Sequence, residues 1–224
     1  MNENQTNNSS LRSSILALVF DLPWFELIGR IWKVGRQIVR GLSSEGTYEV
    51  LDYECQVELN DSNGKDATIQ KREKVLYLQD YITSYQDQAW GNGDILLHYE
   101  CSPGIPVDQY QLGHNTYKLI SLREFRNRGD IDEFNIKWNM KNGFLKRSGF
   151  WGTAINQRTK HITVRVIFPK NRPPTHISIF EKNLQRTRIL GNDVQQRLPD
   201  GRYMLIWEKP DPRLYEDYIL GWEW

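Results

Sequence analysis

Residues 51–59, LDYECQVEL, alternate apolar and polar side chains without a break. The odd-numbered positions, from Leu51 to Leu59, are apolar, and the even-numbered positions are acidic or carry an amide. A period of two places successive side chains on opposite faces of a pleated strand. The stretch therefore predicts a half-buried β-strand and sets the pattern for most of the chain that follows.

Turns and further strands follow from the same kind of pattern. Residues 60–64 (NDSNG) are typical of a turn and predict a hairpin between the first strand and a second at residues 67–78. The other predicted strands cover residues 95–101, 116–125, 132–140, 149–156, 161–168, 175–181, 187–190, 202–208 and 215–224. Residues 81–90 fit no single pattern. About eleven strands with no second helical pattern predict a mainly β fold, an antiparallel sandwich or barrel.

Two connections stand out between the predicted strands. Residues 102–115 (SPGIPVDQYQLGHN) predict a loop that is long for a compact domain, and long loops on a rigid scaffold often carry binding residues. Residues 169–174 (PKNRPP) predict a connection or a sub-boundary, because proline cannot donate to a strand ladder. The predicted organisation is a disordered tail at 1–14, an amphipathic helix at 15–43 and the β domain at 44–224.

The predicted helix is the only segment with sustained helical periodicity. In residues 21–42 (DLPWFELIGRIWKVGRQIVRGL) the apolar and basic side chains fall on opposite halves of a helical wheel. The residues predicted to dock on a surface are Trp24, Phe25, Ile28, Ile31, Trp32, Arg36 and Arg40. Such a helix suits a membrane interface or a protein partner, or its apolar face simply covers a sheet of the same protein. Its charges exclude a membrane span.

Charge is divided unevenly along a chain whose net charge is only +1. Residues 43–136 carry 8 basic and 17 acidic side chains, whereas residues 137–188 carry 12 basic side chains and one acid. The residues predicted to bind an anion or a partner are Lys146, Arg147, Arg158, Lys160, Arg165, Lys170 and Arg172. Three arrangements stay open: acidic and basic strands interleave, the basic residues form a face for an anionic membrane or partner, or copies self-associate head to tail.

Composition and motifs give no sign of a catalytic centre. The sequence has no HExxH, GxSxG, phosphate-binding loop or paired CxxC, and its four histidines are scattered, so no metal site, cofactor or catalytic residue is predicted. Two isolated cysteines indicate buried thiols in a reducing cytoplasm. The near-neutral charge disfavours nucleic acid as a partner.

These observations predict a non-enzymatic β-rich recognition or adaptor domain whose helix docks on a membrane surface or a protein partner. The runner-up is a β-barrel sensor of an anionic small ligand or nucleotide. An enzyme whose active site is assembled from residues distant in sequence is the third hypothesis.

Overall fold

The computed structural model describes residues 46–91, 93–113 and 115–224. The predicted tail and the predicted helix at 15–43, with all of its docking residues, lie outside the described residues. Those described form fourteen β-strands and one short 3-10 helix, Asn192–Val194. The prediction of a mainly β fold is confirmed, and the strands are more numerous than the eleven expected.

The largest sheet has seven strands and carries the hairpin predicted from residues 51–78. Its order is β12 (Gln195–Arg197), β13 (Tyr203–Pro210), β9 (His161–Phe168), β1 (Tyr48–Leu59), β2 (Asp66–Tyr77), β7 (Ile131–Lys141) and β4 (Asp94–Ser102). β1 and β2 pair antiparallel from Tyr48 opposite Tyr77 to Leu59 opposite Ala67. The Asp61 carboxylate accepts the backbone N–H groups of Asn63 and Asp66 at 2.7 Å, which closes the turn between them.

One strand pair departs from the antiparallel arrangement expected. β1 and β9 run parallel, with Tyr53 opposite Ile162 and Val57 opposite Val166. Parallel strands need a crossover connection, and here the chain forms seven other strands between the two. The periodicity of the two strands could not predict this pairing, because periodicity indicates which face of a strand is buried and not which strand lies beside it.

Two smaller sheets complete the described domain. The four-stranded sheet has the order β11 (Arg186–Ile189), β10 (Thr175–Glu181), β14 (Asp217–Glu223) and β8 (Ser148–Ala154). The three-stranded sheet has the order β3 (Ile82–Trp90), β6 (Asn115–Arg126) and β5 (Ile105–Leu112). The prediction of a loop at residues 102–115 is therefore wrong, because most of this stretch is β5 in a hairpin with β6.

The core lies between the seven-stranded sheet and the two smaller ones. Against the three-stranded sheet, Tyr85 stacks on Phe134 with ring centroids 3.9 Å apart. Against the four-stranded sheet, Trp207 contacts Tyr218 at 5.3 Å between centroids. Trp138 of β7 is only 2% exposed, which confirms the inward register predicted for that strand. Sheets of alternating sequence thus bury one face each and leave the other polar.

Candidate functional site

β5 is an edge strand of the three-stranded sheet, and it is longer than the exposed edge strand β11 of the four-stranded sheet. This strand pairs with β6 on one side, and in the described part of the chain no strand pairs with its outer edge. All its residues except Leu112 are exposed. Its register with β6 is broken between Pro106 and Asp108, where one residue bulges out of the ladder. An edge strand of this length presents a row of backbone N–H and C=O groups that another extended chain could pair with.

Tight turns fix where β5 lies. Gly104 joins β4 to β5 with a φ of +91°, and a Cβ atom there would lie 2.5 Å from Ile120 Cγ2 and 2.7 Å from the Ser121 carbonyl oxygen. Only glycine tolerates both the positive φ and the close approach. At the other end, Gly113 has a φ of +65° between β5 and β6. The two glycines position the strand on the rim of the domain.

Aromatic and amide side chains line one face of the three-stranded sheet next to this edge. Tyr110 of β5 stacks on Tyr117 of β6 with ring centroids 5.1 Å apart and an interplanar angle of 15°. The Tyr110 hydroxyl donates to Gln86 Oε1 at 3.1 Å, although the side chain remains 43% exposed. We call Gln86, Tyr110 and Tyr117 the tyrosine face. It offers a flat apolar surface with polar groups at its margin.

A buried charge cluster lies on the opposite, inward side of the same sheet. The Lys71 ammonium forms an ion pair with Asp87 and lies 3.9 Å from Glu73 Oε2. Tyr99 donates its hydroxyl to Asp87 Oδ2 at 2.9 Å, and Tyr85 donates to Glu73. Lys71 is 7% exposed and Asp87 is 1% exposed, so no substrate reaches these groups. The cluster joins β2 to β3 and thereby fixes the three-stranded sheet on the larger one.

Burial governs the ionisation of this cluster. Desolvation raises the pKa of Glu73 above its ordinary value, although the positive charge of Lys71 lowers it in part. Burial alone would lower the pKa of Lys71, but Asp87 and Glu73 together raise it. Burial also raises the pKa of the adjacent Cys55 thiol to about 12, so Cys55 is not a nucleophile at neutral pH.

The seven cations predicted from sequence do not form one face. Arg165 lies on the outer side of the seven-stranded sheet and binds Glu54 at 3.0 Å, and Lys160 lies 3.6 Å from Glu49. These two pairs join the basic segment to the acidic one because β9 lies beside β1. Arg72 also binds Glu54, at 2.6 Å, and its hydrogen bond holds the pKa of Glu54 below the ordinary value.

The other five predicted cations form no ion pair among the described residues. Arg158 lies in the connection before β9, where its carbonyl accepts the N–H of Val50. Lys146, Arg147 and Arg172 meet around Trp224, and Lys170 lies near Gly201. Whether any of the seven binds an anion or a partner stays a prediction.

The described residues contain neither a cluster of metal-binding side chains nor a helix that could cross a membrane. No group of three or more His, Cys, Asp or Glu side chains in this part of the chain could hold a metal ion. Within the same residues, no helix has the length and apolar character needed to cross a bilayer.

Sequence reasoning missed β5 and the buried charge cluster for different reasons. Pro103, Gly104 and Pro106 hid the strand, although Gly113 followed by Asn115 carried a hairpin signal. In β2, Lys71 and Glu73 occupy the inward positions of an otherwise apolar alternation. Charges at such positions indicate a buried partner, but not which residue supplies it.

Comparison with known proteins gives a limited result. No protein-family model and no curated protein matches the chain. Among solved structures, it is similar to an M1 zinc metallopeptidase from Deinococcus radiodurans, with 12% identity, a TM-score of 0.44 and coverage of 78% of this chain and 42% of that chain. A mutant of that enzyme bound to a Tyr-Ser-Ala substrate matches with a TM-score of 0.43, and a two-domain mutant bound to L-arginine with 0.45.

The structures named above are enzymes, which contradicts the prediction of a non-enzymatic recognition or adaptor domain that acts through a docking helix, and we drop that hypothesis. The chain spans less than half the length of the matched structures. Peptidase activity is a property of those proteins and is not transferred to this chain.

Proposed function

We propose that the β domain binds an extended polypeptide segment along the outer edge of β5. The observation that carries the proposal is that, among residues 46–91, 93–113 and 115–224, β5 pairs with β6 on one side and with no strand on the other, with all but one of its residues exposed. An extended peptide satisfies edge N–H and C=O groups by adding a strand, and its side chains then alternate between the two faces of the sheet. The backbone thus supplies affinity and the neighbouring side chains supply selectivity.

The open part of the edge is short. Pro106 cannot donate a hydrogen bond, and the shift in register between Pro106 and Asp108 makes the first half of the strand an irregular template for another chain. Residues 108–112 remain regularly paired with β6 through Gln109 opposite Lys118 and Tyr110 opposite Tyr117. We therefore expect a bound segment of roughly five residues, since each strand residue spans about 3.3 Å.

The neighbouring side chains suggest which peptides bind. One face of an added strand would lie against the tyrosine face, where Tyr110 is exposed and favours an aromatic or other large apolar side chain. Asp108 is the one charged residue of β5, and it forms no ion pair in the described part of the chain. A basic side chain near Asp108 would therefore complement the edge.

The test is selection of a displayed library of random ten-residue peptides against the full chain. We expect enriched peptides to combine β-forming residues with an aromatic and a basic residue. Addition of a selected peptide should slow hydrogen exchange of amides in β5, because an added strand protects edge N–H groups. Substitution Tyr110→Ser should weaken the selected peptides about tenfold, consistent with loss of one buried aromatic contact.

The matched control is Tyr81→Ser. Tyr81 is 76% exposed and contacts Phe125 at the far end of the same sheet, about 26 Å along an extended β6 from Tyr117. Its substitution should leave peptide affinity unchanged. Peptides that bind equally well to Tyr110→Ser, or that protect no amide of β5, would refute the proposal. Self-association, a cytoplasmic location and peripheral attachment to a membrane stay predictions.

A further inference from the structure

The carboxyl-terminal corner of the described domain collects cations that lack acidic partners. Lys146, Arg147 and Arg172 come from two separate connections, the one before β8 and the one between β9 and β10. None of the three forms an ion pair among the described residues, whereas Lys160 and Arg165 of the same basic segment do. Unpaired cations brought together by a fold raise the local positive potential.

Trp224 organises these cations, and we call the four residues the Trp224 corner. The Trp224 indole N–H donates to the Lys146 carbonyl at 2.9 Å, and its backbone N–H donates to the Arg147 carbonyl at 3.0 Å. The Arg172 guanidinium carbon lies 3.7 Å from the centre of the Trp224 ring. Arg172 Nη1 also donates to the Ser62 carbonyl in the turn between β1 and β2. The guanidinium is therefore held in one plane before any ligand arrives.

Two acids lie next to this corner: Asp61 acts on Arg172 through its charge, and Glu223, beside Trp224 in the chain, pairs with His176 at 3.4 Å. Asp61 raises the pKa of Arg172 through its charge, which offsets part of the decrease that burial causes. The Asp61 carboxylate already accepts the backbone N–H groups of Asn63 and Asp66, so its lone pairs are committed to the turn. The side chains of Lys146 and Arg147 are exposed and free to turn toward a ligand.

We propose that the Trp224 corner binds a multiply charged phosphate group, carried either by a soluble polyphosphate or by a lipid headgroup. A guanidinium that is stacked and fixed presents N–H donors in the planar geometry that matches phosphate oxygens. Two mobile cations beside it can then neutralise the remaining charge. A ligand with a single carboxylate would engage only some of these three cations. This site is separate from the β5 edge and does not depend on peptide binding.

The test uses the full chain with two probes, sodium tripolyphosphate measured by calorimetry and vesicles of phosphatidic acid and phosphatidylcholine measured by sedimentation. The test variant is the pair Lys146→Gln and Arg147→Gln, because the backbone carbonyls that hold Trp224 are kept. We expect roughly fivefold weaker binding per cation removed, or about 25-fold for the pair. Binding by the parent protein should weaken steeply with salt, since the Debye length falls from about 10 Å at 0.1 M to about 3 Å at 1 M.

The matched control is Arg158→Gln, another unpaired cation of the same basic segment. Arg158 lies beside Val50 near the start of β1, whereas Ser62 follows its end, so the length of the strand separates Arg158 from the corner by roughly 30 Å. If the pair of substitutions weakens tripolyphosphate binding and Arg158→Gln does not, the result supports the proposal with a soluble polyphosphate as the ligand. If the same pattern is found with vesicles and not with tripolyphosphate, the result supports the proposal with a lipid headgroup as the ligand. Absence of binding to both probes, or an equal loss in Arg158→Gln, would overturn it.

Discussion

Replacing Asp87 by asparagine removes the carboxylate that pairs with Lys71 between two sheets. Asp87 Oδ1 accepts from Lys71 and from the Gln88 N–H at 2.8 Å, and Oδ2 accepts from Tyr99. Asparagine has one oxygen instead of two, so its NH₂ group faces one of these donors. The Lys71 ammonium keeps only Glu73, whose Oε2 lies 3.9 Å away.

The expected cost follows from the burial of both partners. Removing one member of a buried ion pair typically destabilises a protein by about 3–5 kcal/mol, because the other charge is left desolvated without compensation. We expect Asp87→Asn to fall near the lower end of this range. Loss of the Asp87 charge removes one of the influences that raise the pKa of Glu73, so Glu73 ionises more readily and compensates Lys71 in part.

The assay is urea unfolding followed by tryptophan fluorescence, with an unchanged m-value as evidence that the extent of unfolding is the same. The double variant Lys71→Met with Asp87→Leu removes both charges, and it should recover most of the loss because apolar side chains can replace a buried pair at little cost. Glu133→Gln is the control: Glu133 pairs with Arg72 on the exposed side of β2, and its removal should cost less than about 1 kcal/mol. A loss below about 1 kcal/mol for Asp87→Asn, or no recovery in the double variant, would refute the reasoning.

Two further predictions concern the same core. Because burial raises the pKa of Glu73, its contribution to stability is fully present below the unfolded value of about 4.3 and is lost as pH rises through the folded value. Glu73→Gln should therefore flatten the decline in unfolding free energy above about pH 4, and equal slopes for parent and variant would contradict this. Trp138→Ala should cost about 3–5 kcal/mol, since the side chain is 2% exposed, and a loss below about 1 kcal/mol in the same unfolding assay would mean that the site collapses around the missing ring.

Local periodicity of apolar side chains was sufficient to predict individual strands. The predicted bounds 161–168 and 175–181 coincide with β9 and β10, and the alternation in residues 51–59 falls within β1. Burial of one face of a strand depends on the spacing of apolar side chains in that strand, so the sequence alone specifies it. The same argument gave the inward register of Trp138. Where proline and glycine interrupted the pattern, as around β5, the strand was missed.

Tertiary structure decided what the strands bring together. The acidic and basic segments seemed separate along the chain, yet the parallel pairing of β1 with β9 places Arg165 beside Glu54. The packing of β3 on β2 likewise brings Asp87 to Lys71, although the sequence shows Lys71 only as a charge in an apolar alternation and has no clear pattern around Asp87. Electrostatic energy depends on distance through space, and the order of residues along the chain does not fix that distance. For this reason the sequence determined which faces are buried, and only the fold determined which charges are paired and which remain free at the Trp224 corner.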